Sequence, residues 1–224
     1  MFNEHTVTEN GIIDRLKGLS GVKWTYCHGE SLPKKAQDIF VDEWLKDALC
    51  SLNPDIAKQP DYADEVIHKL RGLMLEARNT GLAKANENFQ EWLMAEKSLP
   101  FGENGDHITI NLIDIDNIKN NHFVVSQQVH YIAATEVYFD IVLYVNGIPL
   151  VVGEVKTATR PSVTWQDGAA DFMGGKKHYW KNVEPFFVPN LLCFASEGKT
   201  FAYGAINARV KDWGPWHNTD QREE

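Results

Sequence analysis

Three charged side chains stand in a stretch that is otherwise apolar. Asp140 lies inside Val137-Tyr138-Phe139-Asp140-Ile141-Val142-Leu143, and Glu154 and Lys156 close the run Ile148 to Lys156. Charges in apolar strands are costly to bury unless they are paired or bound to a metal. Two carboxylates and one ammonium are the groups that metal-assisted phosphodiester hydrolysis requires. Hard oxygen ligands hold Mg²⁺ with positions left for water and phosphate, and a nearby cation orients the attacking water or stabilises developing negative charge. Glu154 and Lys156 are two residues apart, so on a strand they share a face. A Glu-x-Lys triplet alone carries no weight, because about one is expected by chance in a chain with a quarter of its residues charged. It occurs twice here, and the second copy, Glu197-Gly198-Lys199, reads as a solvated turn with no preceding strand Asp. The first gains its weight from its strand and from Asp140 on the neighbouring strand, the alternative being an ion-pair cluster at the surface.

These residues must be positioned by a hairpin, since Asn146-Gly147 between two apolar runs is a strong two-residue turn signal. A strict turn pairs Val145 with Ile148 and hence Asp140 with Gly153, which puts the two carboxylates on opposite sides of the sheet. Bringing them together needs one extra residue, from a three-residue loop or a bulge, and Pro149, which cannot donate a ladder hydrogen bond, makes such an irregularity reasonable. The sequence therefore predicts an offset between the turn and Glu154.

Helical spacing is read over Thr8 to Leu19, Lys34 to Leu52, Asp61 to Arg78 and about Ala83 to Lys97. Strands are read over His107 to Ile113, Phe123 to Val129, Val137 to Val145, Pro149 to Val155, Leu191 to Ala195 and Thr200 to Ile206, with a glycine-weakened helix from Trp165 to Val183. The layout is an α/β (α+β) domain over residues 1–216, with a mixed sheet, a helical insert at about 34–97 and a polar tail at 217–224.

The chain of 224 residues is 43% hydrophobic and 24% charged with seven Trp, a profile that supports a real core. No apolar run approaches the ~20 residues of a membrane span, the start lacks the features of a secretory signal, and three widely spaced cysteines read as thiols of a reducing, cytoplasmic protein. The net charge of −9 opposes nucleic-acid binding by bulk field, so any DNA contact needs a local basic patch, a metal ion or a partner. Arg160, Lys176, Lys177 and Lys181 could supply that patch or form a solvated face. Trp44, Phe89 and Trp92 read as core rather than stacking platforms. No HExxH, metal-spaced His pair or GxSxG is present. Gly198-Lys199-Thr200 is not a phosphate loop, because Cys193 stands where its first Gly belongs.

The run from Val137 to Lys156 resembles the nuclease signature in the R subunit of type I restriction enzymes, of the PD-(D/E)xK superfamily. Further stretches carry the same likeness: Ala85-Asn86-Glu87-Asn88-Phe89, Pro100 to Gly105, Arg160 to Trp165, Phe187-Val188-Pro189-Asn190 and Trp213-Gly214-Pro215-Trp216. The resemblance implies a restriction-endonuclease-like αβββαβ core. It implies Mg²⁺ held by Asp140, Glu154 and the Val155 carbonyl, with Lys156 orienting water or the scissile phosphate. Glu9 matches the extra helical acid of such sites. Tyr179 matches the Tyr of a Gln-x-x-x-Tyr motif, although Gly175 stands where the Gln belongs. The implied substrate is double-stranded DNA and the implied partners are the methylation and specificity subunits. ATP would enter only through motor domains that this chain lacks, so an amino-terminal fragment or a standalone domain is expected. A non-catalytic docking domain and a repair or recombination nuclease of the same superfamily are the rival readings.

Overall fold

A computed structural model describes residues 4–157, 162–174 and 177–215. In chain order the elements are α1 (Glu4–Lys17), β1 (Trp24–His28), α2 (Asp42–Leu52), α3 (Pro54–Lys58), α4 (Asp61–Thr80), α5 (Leu82–Leu93), β2 (Ser98–Leu99) and β3 (Ile108–Thr109). They continue with β4 (Phe123–Ile132), β5 (Glu136–Val145), β6 (Ile148–Val155), α6 (Trp165–Met173), α7 (Tyr179–Asn182), β7 (Leu192–Ser196), β8 (Phe201–Gly204) and β9 (Gly214–Pro215).

Seven strands form one mixed sheet in the order β1-β4-β5-β6-β7-β8-β9, while β2 and β3 make a separate short ribbon. β1 runs parallel to β4 and β6 parallel to β7, and the other neighbours are antiparallel. This is the mixed α/β architecture expected, and it is compatible with an α/β nuclease core. One face of the sheet is covered by α1, where Ile13 meets Val125, Ile141, Val155 and Phe194. The other carries the larger core, in which Val142, Tyr144, Ile148 and Val152 join the helices α2 to α5 and the α6–α7 segment. Phe89 and Trp92 are buried in that core, and Trp44 packs edge-on against Tyr144.

The helical insert begins later than its periodicity suggests. Residues 34–41 are not helical, and Lys34 instead donates to the carbonyls of Asp38 and His130, tying the loop to β4. The predicted strand at 107–113 shrinks to Ile108–Thr109 because Asn111 pairs through its backbone N–H with the Asn53 side chain, not with a strand. The helix read over 165–183 is two helices, and α6 stops at Met173. β1 escaped detection because its Trp-Thr-Tyr-Cys-His sequence lies at the sheet edge, with Thr25 and Tyr26 exposed and no clean alternation.

The Asn146-Gly147 turn is buried rather than solvated. Asn146 and Gly147 both have positive φ, 53° and 79°, as a type I′ hairpin demands. The Asn146 amide donates to the Leu112 carbonyl and to Asn121 Oδ1, and the Gly147 carbonyl accepts the Val41 N–H just before α2. The hairpin tip is thus a docking point for the helical insert.

Candidate active site

The β5–β6 ladder contains the offset that the sequence requires. Val145 pairs with Ile148 and Tyr144 with Pro149, but Leu143 pairs with Val151, so Leu150 is the extra residue. Beyond it Val142 meets Val152 and Ile141 meets Gly153, which brings Asp140 level with Glu154. A one-residue bulge has converted a splayed pair of acids into a facing one.

A second irregularity lies across β4. The ladder pairs Gln127 with Ile141 and Val129 with Phe139, and Gln128 between them has a left-handed φ of 54°. Alternation breaks at this point, so the consecutive residues Gln127 and Gln128 both donate side-chain hydrogen bonds to Glu9 of α1, Gln128 at 3.1 Å. Glu9 is only 2% exposed, and its charge acts on Asp140. The helical acid predicted from resemblance therefore stands at the edge of the same cluster, held by two glutamines that periodicity did not single out. Their one sequence signal is an adjacent amide pair inside an apolar strand.

Asp140 Oδ2 accepts the Val155 N–H at 2.7 Å, so the backbone of β6 itself anchors the first carboxylate. Burial and the neighbouring Glu154 carboxylate raise the proton affinity of Asp140, pushing its pKa up to about 7 against the opposing pull of Lys177 and of the Val155 N–H. Glu154 is 1% exposed and fully engaged. Its Oε1 accepts Lys156 Nζ at 2.7 Å and Lys177 Nζ at 2.5 Å, and its Oε2 accepts the Tyr179 hydroxyl at 3.0 Å. Lys156 also reaches Asp171 Oδ2 on α6 at 2.6 Å. Burial disfavours its ammonium, but the Glu154 and Asp171 carboxylates outweigh that cost and hold its pKa up to about 12. Tyr179 stays a neutral donor, since burial and the Glu154 and Asp140 charges push its ionisation far above the usual range.

Packing explains why these groups meet. α6 begins at a capping box in which the Asp167 carboxylate accepts the Thr164 N–H at 2.8 Å. Gly168 lets α6 lie against β6, since a side chain there would sit 3.1 Å from the Ala195 Cβ and 3.5 Å from the Glu154 Cγ. That close approach delivers Asp171 to Lys156. The Tyr179 ring is wedged among Phe139, Phe172 and Phe187, which aims its hydroxyl at Glu154.

The structure thus brings together Asp140, Glu154, Lys156, Glu9, Lys177 and Tyr179. Lys177, read as a residue that could contact phosphates, donates to Glu154 in this structure, and Lys181 is exposed on α7. Arg160, Lys176 and Gly175 lie outside the described residues, as does the polar tail at 217–224. Asp171 went unnoticed because nothing local marks a lone acid on a helix.

The donor set fits a hard divalent cation. Burial and the neighbouring Glu154 carboxylate together raise the proton affinity of Asp140, so the site disfavours the negative charge that a cation would offset. Among the described residues no three His, Cys, Asp or Glu side chains cluster as a metal site. A cation would accordingly rest on two carboxylates, backbone oxygen and water.

Fold and site together define a mixed α/β domain with a buried acid–lysine centre at a bulged hairpin. The model of the family described as type I restriction enzyme R protein N terminus matches residues 1–211, and the chain belongs to that family. It is 27% identical over 234 residues to the putative type I restriction enzyme MjaIXP endonuclease subunit of Methanocaldococcus jannaschii, covering 99% of this chain and 21% of that protein. It is 26% identical over 237 residues to the type I restriction enzyme HindI endonuclease subunit of Haemophilus influenzae, covering 100% of this chain and 21% of that protein. The chain therefore spans about a fifth of the length of these relatives. No helix among the described residues is long and apolar enough to cross a membrane.

Proposed function

We propose that this chain is the nuclease unit of a type I restriction system of the PD-(D/E)xK class, cutting duplex DNA with the help of Mg²⁺. The observation that carries the reading is the bulge at Leu150, which sets Asp140 level with Glu154 while Lys156 stands beside them. A sheet that served only for docking has no need to spend register on facing two acids.

Asp140, Glu154 and the Val155 carbonyl would hold the cation, which when bound supplies Lewis acidity and a more acidic water. Lys156, kept charged by Asp171 and Glu154, orients the water or the scissile phosphate. Tyr179 fixes the orientation of Glu154 through its hydroxyl. Glu9 stands further out and tunes the charge on Asp140. The net charge of −9 makes the domain a poor DNA binder by itself. Holding the duplex is then the task of motor domains carried elsewhere in the full-length subunit and of the specificity and methylation subunits, with ATP used by the motor alone.

The same charge favours a second reading, a non-catalytic docking domain that links motor to complex. One experiment separates them. In the full-length subunit assembled with its partners, Lys156→Ala should abolish cleavage and leave ATP-driven translocation intact; cleavage at the wild-type rate would remove the nuclease reading.

A further inference from the structure

Glu154 accepts two ammonium groups on one oxygen, and they are not equally anchored. Lys156 has a second carboxylate, Asp171 at 2.6 Å, and its side chain is 17% exposed. Lys177 has Glu154 as its one carboxylate partner among the described residues, and its side chain is 35% exposed. Two like charges on a shared oxygen repel, so the less anchored and better solvated one is the cheaper to move. Lys177 is also the lysine whose charge acts on Asp140 as well as on Glu154, which puts its ammonium in the field of both acids. A divalent cation held by these two carboxylates would compete with it for the same negative charge.

Lys177 has somewhere to go. With Asp140, Tyr179, Gln128 and Asn182 it lines a pocket of about 470 Å³ that opens to solvent. Its backbone is held, because the Asn182 amide donates to the Lys177 carbonyl at 2.8 Å. A swing of the side chain alone is then enough to take its ammonium off Glu154.

We infer that Lys177 is a displaceable internal countercation: its ammonium docks on the Glu154 oxygen that a divalent cation needs, so metal loading and Lys177 docking exclude one another. The inference rests on the reading of Asp140 and Glu154 as cation ligands. In the cation-free protein Lys177 neutralises a carboxylate that would otherwise be buried with less compensation. When it swings into the pocket, a phosphodiester there offers it a new charge-assisted partner. Arrival of substrate and loading of the cation then favour each other, because each removes the ammonium from the same oxygen.

The test is calorimetric titration of the 224-residue chain with Mn²⁺ alone, without DNA. Lys177→Met should bind Mn²⁺ at least about tenfold more tightly than the wild type, and Lys177→Gln should do the same in a side chain that can still donate a hydrogen bond. Lys181→Met removes a nearby exposed charge without touching Glu154 and should change affinity by less than about twofold. Both Lys177 variants keep two donors on Glu154, and a cooperative melt of each confirms folding. Should they bind Mn²⁺ as the wild type does, or gain no more than Lys181→Met, the countercation role is wrong. Glu154→Gln distinguishes the two levels of the argument. Loss of binding in Glu154→Gln with unchanged Lys177 variants overturns the countercation and leaves the metal site standing. Wild-type binding in Glu154→Gln, or no Mn²⁺ binding by any protein in the series, overturns both.

Discussion

Replacing Asp140 by Asn should make the cation-free protein more stable at neutral and alkaline pH, against the general rule that buried changes destabilise. The carboxyl rises from an ordinary value of 3.8 to about 7 in the fold, because burial and Glu154 penalise its ionised form. The folded state thus binds more protons than the unfolded chain between these values, so stability falls as pH rises through that window. Above pH 7 the accumulated penalty is about 4 kcal/mol at most, from roughly three pKa units at 1.36 kcal/mol each. Asn keeps an oxygen to accept the Val155 N–H, now 2.7 Å from Asp140 Oδ2, and removes the charge. For a chain of this size 1 kcal/mol corresponds to roughly 2–4 °C, so Asp140→Asn should melt several degrees above wild type at pH 8 in EDTA. The gap should narrow as pH falls and close near pH 4. Thermal melts followed by circular dichroism at pH 4, 6 and 8 measure it. A variant that melts lower than wild type at pH 8 in EDTA would make the carboxylate a structural group and refute the charge-repulsion argument.

Three further changes probe the supports of the site. Lys156 rises from 10.5 to about 12 against the cost of its burial, through Glu154 and Asp171, which represents about 2 kcal/mol present below pH 10 and lost as pH rises through 12. Asp171→Asn should remove roughly half of this and lower the melting temperature at pH 8 by a few degrees; no change would mean the bond does not hold Lys156. Tyr179→Phe keeps the ring among Phe139, Phe172 and Phe187 but takes the hydroxyl from Glu154, so unfolding in urea should show a loss of about 1 kcal/mol. Under the proposed nuclease function, cleavage by the full-length subunit carrying Tyr179→Phe should fall roughly tenfold as Glu154 loosens. Gly147→Ala meets a φ of 79° and puts a methyl 2.4 Å from the Val41 carbonyl oxygen, so it should cost more than about 2 kcal/mol in chemical denaturation.

Local chemistry alone determined a good deal about this protein. An Asn-Gly pair between apolar runs can only turn a hairpin tightly, and strand periodicity puts Glu154 and Lys156 on one face. Pairing Val145 with Ile148 also forces the conclusion that one extra residue must enter the ladder before Asp140 can face Glu154. The sequence could demand that bulge without saying where it falls. Leu150 is the extra residue because its side chain is buried in the main core beside Ile148 and Val152, and core packing is a property of the whole fold.

The remaining partners were decided by tertiary structure. Asp171 and Tyr179 come from the helical segment after β6, and no spacing rule joins them to Glu154 and Lys156. They meet because Gly168 lets α6 lie close and because a cluster of phenylalanines aims the tyrosine. Gln127 and Gln128 reach Glu9 together because Gln128 adopts a left-handed backbone that alternation forbids. The bond from Lys177 to Glu154 is likewise invisible in the sequence, for a similar reason. A buried carboxylate draws the nearest ammonium to it, and which ammonium is nearest is a matter of how the chain is folded, not of how it is written.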